Sequence, residues 1–347
     1  MNEQKISVII PIYNGGRFLA DTIQGILNQT FESFDLILVD DGSTDNTLGI
    51  CDYYRKCDSR IRVVHKENGG MSSARDYGYQ HAEKDSWILF FDADDIPSPN
   101  MLEKLWQHHA SDLVLSSYDD IASNVIMQTP FDLSDNRIVS GNGTDMMNYI
   151  LEGKATQGRT GSMCGVLIHP RFMEKHYQSL HNVSCLFPQN YMNDAYATVR
   201  LVKAANSVLL YDNNVFHHRV SNYTDSRSLI PNALAYELLA VQYNNLKYYK
   251  ENASVEAYHS MLLGFYLVIL KLWYQVKKYE PNQKKAKRWT KKIQKAFALY
   301  WDDFRKIRYE TFYDRMAKIT VVLFKISPKL WTIFVGNVKY GLSYNRR

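Results

Sequence analysis

Cysteine is scarce in this sequence: Cys51, Cys57, Cys164 and Cys185 are the only four among 347 residues, and no two of them form a Cys-x-x-Cys pair. That excludes a disulfide framework and a paired-thiolate metal site, and it predicts core thiols in a reducing compartment. The 9 prolines and 17 glycines are too few for a collagen-like or low-complexity chain, and 46% hydrophobic residues are too many for a disordered one. Glycine-rich signatures are missing too. Gly141-Asn-Gly143 has neither an apolar strand before it nor a third glycine, no Gly-Lys-Ser/Thr triplet occurs, and Gly161-Ser-Met163 is not a nucleophile elbow. Hydride transfer, P-loop ATP cleavage and serine hydrolysis therefore lose their usual supports.

Long hydrophobic runs are also wanting. Ile319–Val335 is interrupted by Lys325, Pro328 and Lys329, whereas a spanning helix takes ~20 mostly apolar residues. The first ten residues, with Glu3 and Lys5 before a short apolar run, lack the pattern of a secretory signal. The expectation is a cytoplasmic protein with no spanning segment. Its net charge of +5 conceals an asymmetry: residues 1–230 hold 19 basic and 28 acidic side chains, and residues 231–347 hold 22 and 8. Clustered carboxylates in the first part suit cations, while the basic last third suits an anionic partner.

What is present is a repeated strand, loop and helix pattern. Ile6–Ile10, Phe34–Val39, Ile61–Val64 and Trp87–Phe91 are apolar runs of the kind buried in parallel sheets. After the first come Tyr13-Asn-Gly-Gly16 and apolar residues at helical spacing. After the second comes Asp40-Asp-Gly-Ser-Thr-Asp45, where Ser43 or Thr44 is expected to cap the next helix. Every polar cluster falls at the C-terminal end of a strand, where open α/β sheets bind ligands. Helices are predicted near 100–109, 170–176 and 194–205, strands at 113–117 and 166–169, and a tyrosine-rich helical region from Pro231. The length predicts two domains.

Asp92-Ala-Asp94 is the most informative feature. Carboxylates two apart at the end of an apolar strand supply hard oxygen ligands, suited to Mg²⁺ or Mn²⁺ shared with phosphate oxygens. Taken with Ser7-Val-Ile-Ile-Pro-Ile-Tyr-Asn14, Gln29-Thr-Phe31, Val39-Asp-Asp-Gly-Ser-Thr-Asp45, Asn68-Gly-Gly70, Ala74-Arg75 and Phe91-Asp-Ala-Asp-Asp95, the chain resembles the family 2 glycosyltransferases with a GT-A fold.

The resemblance implies an α/β, Rossmann-like domain with a mostly parallel central sheet flanked by helices. That domain would span 1–230, with a nucleotide-binding half at 1–110 and an acceptor half at 111–230, followed by a basic helical module at 231–347. It also implies an inverting, metal-dependent transfer from a UDP-sugar to a hydroxyl of a glycan, glycoprotein or lipid-linked acceptor, as in polysaccharide biosynthesis. Pro11, Tyr13 and Asn14 would hold uracil and ribose, and Asp41 would accept from the uracil N3–H with Asp40 beside it. Asn68 and Ala93 would fall among the nucleotide-contacting positions, and Arg75 would touch base or phosphate. Asp94 would bind Mn²⁺ or Mg²⁺, Asp92 would reach ribose or metal, and Asp95 would support them or cap. Asp194, at a helix start, would be the general base. Arg219 would take a phosphate, and His217 or His218 would complete the metal shell, with His217 chosen. Two positions depart from the family: Asp76 stands for its asparagine, and Asn193 for the acid that often precedes the base.

Beyond residue 230 the resemblance is silent. Lys277 to Lys295 interleaves nine basic residues with Trp273, Tyr274, Tyr279 and Trp289, and Trp331, Phe334 and Val335 add an apolar end. That mixture suits a peripheral position on an anionic inner membrane face, ahead of nucleic acid, and also suits a solvated helical bundle. Two other functions stay open: a nucleic-acid-binding protein led by this module, and a catalytically silent sugar-nucleotide-binding protein.

Overall fold

The computed structural model describes residues 5–122, 137–152, 154, 162–177, 193–220, 245–309 and 312–332. The chain divides into two compact units, Met1–Tyr223 and Thr224–Arg347. In the first, strands and helices alternate as β1 (Ile6–Ile12), α1 (Leu19–Leu27), β2 (Phe34–Asp40), α2 (Thr47–Cys57), β3 (Ile61–His65), α3 (Met71–Gln80) and β4 (Trp87–Phe90). β5 (Ile96–Pro97), α4 (Met101–Trp106), β6 (Leu113–Ala122), β7 (Ile138–Gly141), α5 (Gly143–Leu151) and β8 (Val166–Ile168) follow. A helix over 170–177 (α6), α7 (Asn193–Ala204) and β9 (Val208–Val220) complete the unit.

The described strands form one nine-stranded sheet in the order β3-β2-β1-β4-β8-β6-β9-β5, with β7 also on β9. The sheet is parallel through β3, β2, β1 and β4. Beyond β4 it is mixed, because β8 runs antiparallel to both β4 and β6 while β6 and β9 run together. All seven residues of β1 and of β2 are buried, as β-branched runs covered on both faces must be. Register puts Ile6 opposite Phe34 and Trp87, so the three strand ends that carry polar loops finish on one edge.

α2 starts at Thr47 with Asn46 as its cap residue, and Ser43 and Thr44 do other work. The Ser43 hydroxyl accepts from the Asn14 amide at 2.9 Å, and the Thr44 amide donates to Asn14 Oδ1 at 2.8 Å. The expected cap is thus a clasp between the β1 and β2 loops.

Gly165, before β8, sits where a side chain has no room. Its φ is +68°, and a Cβ there would lie 2.6 Å from Ser116 Oγ and 2.7 Å from a Phe216 ring carbon. Gly165→Ala would combine left-handed strain with overpacking, and is expected to lower stability by ~3 kcal/mol. A denaturant midpoint unchanged from wild type would contradict this.

The second unit contains helices at 245–252 (α8), Val255–Tyr279 (α9), Gln283–Leu299 (α10), Trp301–Lys306 (α11), Phe312–Ile326 (α12) and Pro328–Trp331 (α13). The expectation of no apolar run of spanning length does not hold for α9: Val255–Lys278 is long and apolar enough to cross a membrane by length and composition, although half of its apolar window is buried within the protein. Leu262, Phe265, Tyr266, Ile269 and Leu270 make it the core of this unit. The Tyr266 hydroxyl donates to the Phe297 carbonyl, and the Trp273 and Phe324 rings meet at 5.1 Å.

Asp303 of α11 accepts from Lys250 Nζ at 2.7 Å and from the Tyr258 hydroxyl at 2.9 Å, and these partners hold its carboxyl below the usual range. A depressed folded pKa means that the stabilisation is full above the unfolded value of ~3.9 and fades as pH falls through the folded one. Asp303→Asn is expected to cost about 1 kcal/mol at neutral pH, a modest figure because the side chain is one-third exposed. The variant and wild-type melting curves should converge as pH falls below the ordinary carboxylate range. A constant gap between them down to pH 2 would show that the carboxylate is not the stabilising group.

Candidate active site

Four loops meet at the C-terminal edge of the parallel strands. Asp41, which follows β2 and is buried, accepts from the Gly69 amide at 3.0 Å and the Gly70 amide at 2.8 Å, and pairs with Lys66 Nζ at 2.6 Å. Gly70 can point its amide there because its φ is +85°. Asn68 Nδ2 donates to the Asp41 carbonyl. Asp40 is fully buried, accepting from the Ser43 amide and sharing a 2.6 Å contact with His65 Nδ1. Lys66 and His65 are site residues that the sequence motifs did not single out.

The β1 loop presents two different surfaces. Pro11 lies inside the strand opposite Val39 and is buried, while Tyr13 is 55% exposed and open for stacking. Asn14 adopts φ +51° in the clasp already described.

The carboxylate loop after β4 is held from four sides. The Thr22 hydroxyl of α1 contacts both the Ala93 and Asp95 carbonyls, at 3.0 and 2.8 Å. Arg219 of β9 donates its backbone amide to Asp95 Oδ1, its Nε to the Asp94 carbonyl and its Nη2 to Asp21 Oδ2. Cys164 Sγ lies 3.4 Å from Asp95 Oδ2. Arg75, buried on α3, pairs with Asp92 Oδ1 at 3.0 Å.

Arg219 is buried, with its guanidinium 4.5 Å over Phe18. These contacts tie Arg219 to the carboxylate loop and to Asp21 near the start of α1. His217 is buried opposite Ile96 and Asp119. Its neighbour His218 lies 2.9 Å from Asp120. Among the described residues, Asp92, Asp95 and Cys164 bring ligand atoms within 4.8 Å of one another, a grouping that could hold a metal ion. Cys164 is a neighbour of this loop that the sequence motifs did not offer, brought alongside it by the bridge to Phe90 that precedes β8.

Burial, followed by the Asp92 charge, pushes the Asp94 carboxyl up to about 6, and Asp95 is raised well above its ordinary value by burial, Asp92 and Asp94. Three crowded carboxylates with hard oxygens fit a divalent cation, whose charge would relieve the repulsion. Asp194 occupies the second position of α7, and the loop expected before it, 188–190, lies outside the described residues.

Residues 7–167 match the family described as Glycosyl transferase family 2. This chain carries a family 2 glycosyltransferase domain. Over 117 residues the chain is 44% identical to the glycosyltransferase GlyG of Streptococcus pneumoniae, covering 33% of this chain and 38% of GlyG. It is 36% identical to the uncharacterized glycosyltransferase EpsJ of Bacillus subtilis over 138 residues, 39% of this chain and 40% of EpsJ. It is 44% identical over 112 residues to the minor teichoic acid biosynthesis protein GgaB of B. subtilis, 30% of this chain and 12% of GgaB. The chain therefore spans less than half the length of the curated relatives it matches. The glycosyltransferase fold is GT-A: the S. aureus TarS structure in complex with UDP-GlcNAc superposes with a TM-score of 0.61 at 18% identity, covering 94% of this chain and 92% of that one.

Proposed function

We propose that this glycosyltransferase moves a sugar from a UDP-sugar to a hydroxyl of a glycan, glycoprotein or lipid-linked acceptor, inverting the anomeric centre. The observation that carries the proposal is the convergence, on one sheet edge, of the Asp41 cradle, exposed Tyr13, buried Arg75 and the Asp92 to Asp95 cluster. Tyr13 can stack on a base, and Asp41 can accept from a uracil N3–H if the Lys66 contact yields. The UDP-GlcNAc carried by TarS on the same fold supports uridine as the nucleoside. Mn²⁺ or Mg²⁺ on the carboxylate cluster would supply positive charge for a diphosphate leaving group. Asp194 is the base proposed for the acceptor hydroxyl, since a carboxylate at a helix start can take a proton and be held by the helix.

Release of UDP from a panel of UDP-sugars, with Mn²⁺ and with excess chelator, tests the reading. Metal-dependent release from one donor supports it. Tight UDP binding without hydrolysis or transfer across glycan and lipid-linked acceptors would favour a silent sugar-nucleotide-binding protein, the reading raised by Asn193.

A further inference from the structure

The helical unit carries two unlike surfaces. α10 buries Trp289, Ile293 and Phe297 and exposes Lys284, Lys285, Lys287, Arg288, Lys291, Lys292 and Lys295, with no acidic residue in the helix. α12 buries Val321 and Phe324 but leaves Met316, Ile319, Leu323 and Ile326 exposed by 46, 50, 46 and 75%. Spacings of three and four residues put those four on one side of the helix. They form a second apolar face, separate from the one packed on α9. The tryptophans that the sequence offered as membrane anchors are core residues instead: Trp273, Trp289 and Trp331 are all buried. Phe334 and Val335 lie outside the described residues.

An exposed stripe of this spacing suits either a matching helix from a second copy or a lipid surface. Charge separates the two. Residues 231–347 carry 22 basic and 8 acidic side chains. Arg315, Lys325 and Lys329 near the stripe are exposed. The C-terminal ends of α10 and α12 adjoin, with the Phe297 and Phe324 rings 5.1 Å apart and Lys325 over Phe297 and Trp301. A second copy would set one cationic module against another. An anionic bilayer supplies the missing countercharge and receives the apolar stripe as well.

We propose that α12 lies in the plane of an anionic membrane surface, with Met316, Ile319, Leu323 and Ile326 among the acyl chains and the α10 and α12 cations on the headgroups. The inference does not depend on the transfer reaction.

The test is co-sedimentation of the full chain with vesicles of phosphatidylcholine, alone or mixed with phosphatidylglycerol. Wild type should bind only the anionic vesicles, and less as salt rises, since exposed charges are screened beyond ~8 Å at physiological ionic strength. Replacing all four stripe residues with Gln should lower partitioning by at least ~30-fold. The melting temperature and UDP binding should stay unchanged, because the four side chains are exposed. Lys284, Lys285, Lys287 and Arg288→Gln should weaken binding by about five-fold per charge that reaches the headgroups. Equal sedimentation with both vesicle types, none with either, or wild-type binding by the stripe variant would each overturn the proposal. So would a lipid-free dimer in light scattering that the stripe variant dissolves, which would assign the face to a second copy.

Discussion

Asp94→Ala is expected to lower sugar transfer by ~10³-fold or more, because charge stabilisation at a leaving diphosphate is worth several kcal/mol and each 1.36 kcal/mol is a decade in rate. The variant should fold normally. What ties residue 94 to the scaffold is its carbonyl, which accepts from Arg219 Nε, and alanine keeps that group. Asp95→Ala is the contrasting control: its carboxylate accepts the Arg219 amide and faces Cys164, so its loss should depress the melting temperature. Turnover across a Mn²⁺ titration, measured beside thermal denaturation, separates the two outcomes. Near-wild-type turnover of Asp94→Ala at any metal concentration would remove this carboxylate from catalysis.

Asp194→Asn should lower transfer by ~10²–10⁴, the usual loss of a general base, with UDP affinity changed no more than a few-fold. Asparagine retains the size and capping ability of aspartate but cannot take a proton. The helix start is therefore preserved while the chemistry is removed. Equal rates of transfer for variant and wild type would place the base elsewhere.

Much of the fold from β1 to β4 was legible in the sequence because its information is local. A β-branched run such as Ile6 to Ile10 can be covered on both faces only in a sheet, and polar residues just after it must lie at the strand end. The Asp92, Asp94 and Asp95 cluster was legible for the same reason. Lys66 beside Asp41, Cys164 beside Asp95 and Asp21 beside Arg219 were not, because each pairing is made by tertiary packing and leaves no periodicity behind. β7 and α5 were hidden in a stretch that reads as polar, where exposed and half-buried positions alternate in β7. The basic helix misled in the opposite direction. Trp289 sits among lysines in the sequence, yet its spacing of four and eight residues to Ile293 and Phe297 turns it inward.

The bond from Arg219 to Asp21 joins residues 198 positions apart. Closing so long a loop is entropically demanding and comes late in folding, whereas β1, β2 and β4 can pair from nearby sequence. The carboxylate loop therefore acquires its final shape only when β9 docks against β5 and β6, near the end of synthesis of this unit. A ribosome-bound chain whose emerged portion stops before β9 should already protect its parallel strands from hydrogen exchange while binding no sugar nucleotide. The interval between those two events would measure how long the growing protein exists as a folded but incompetent sheet.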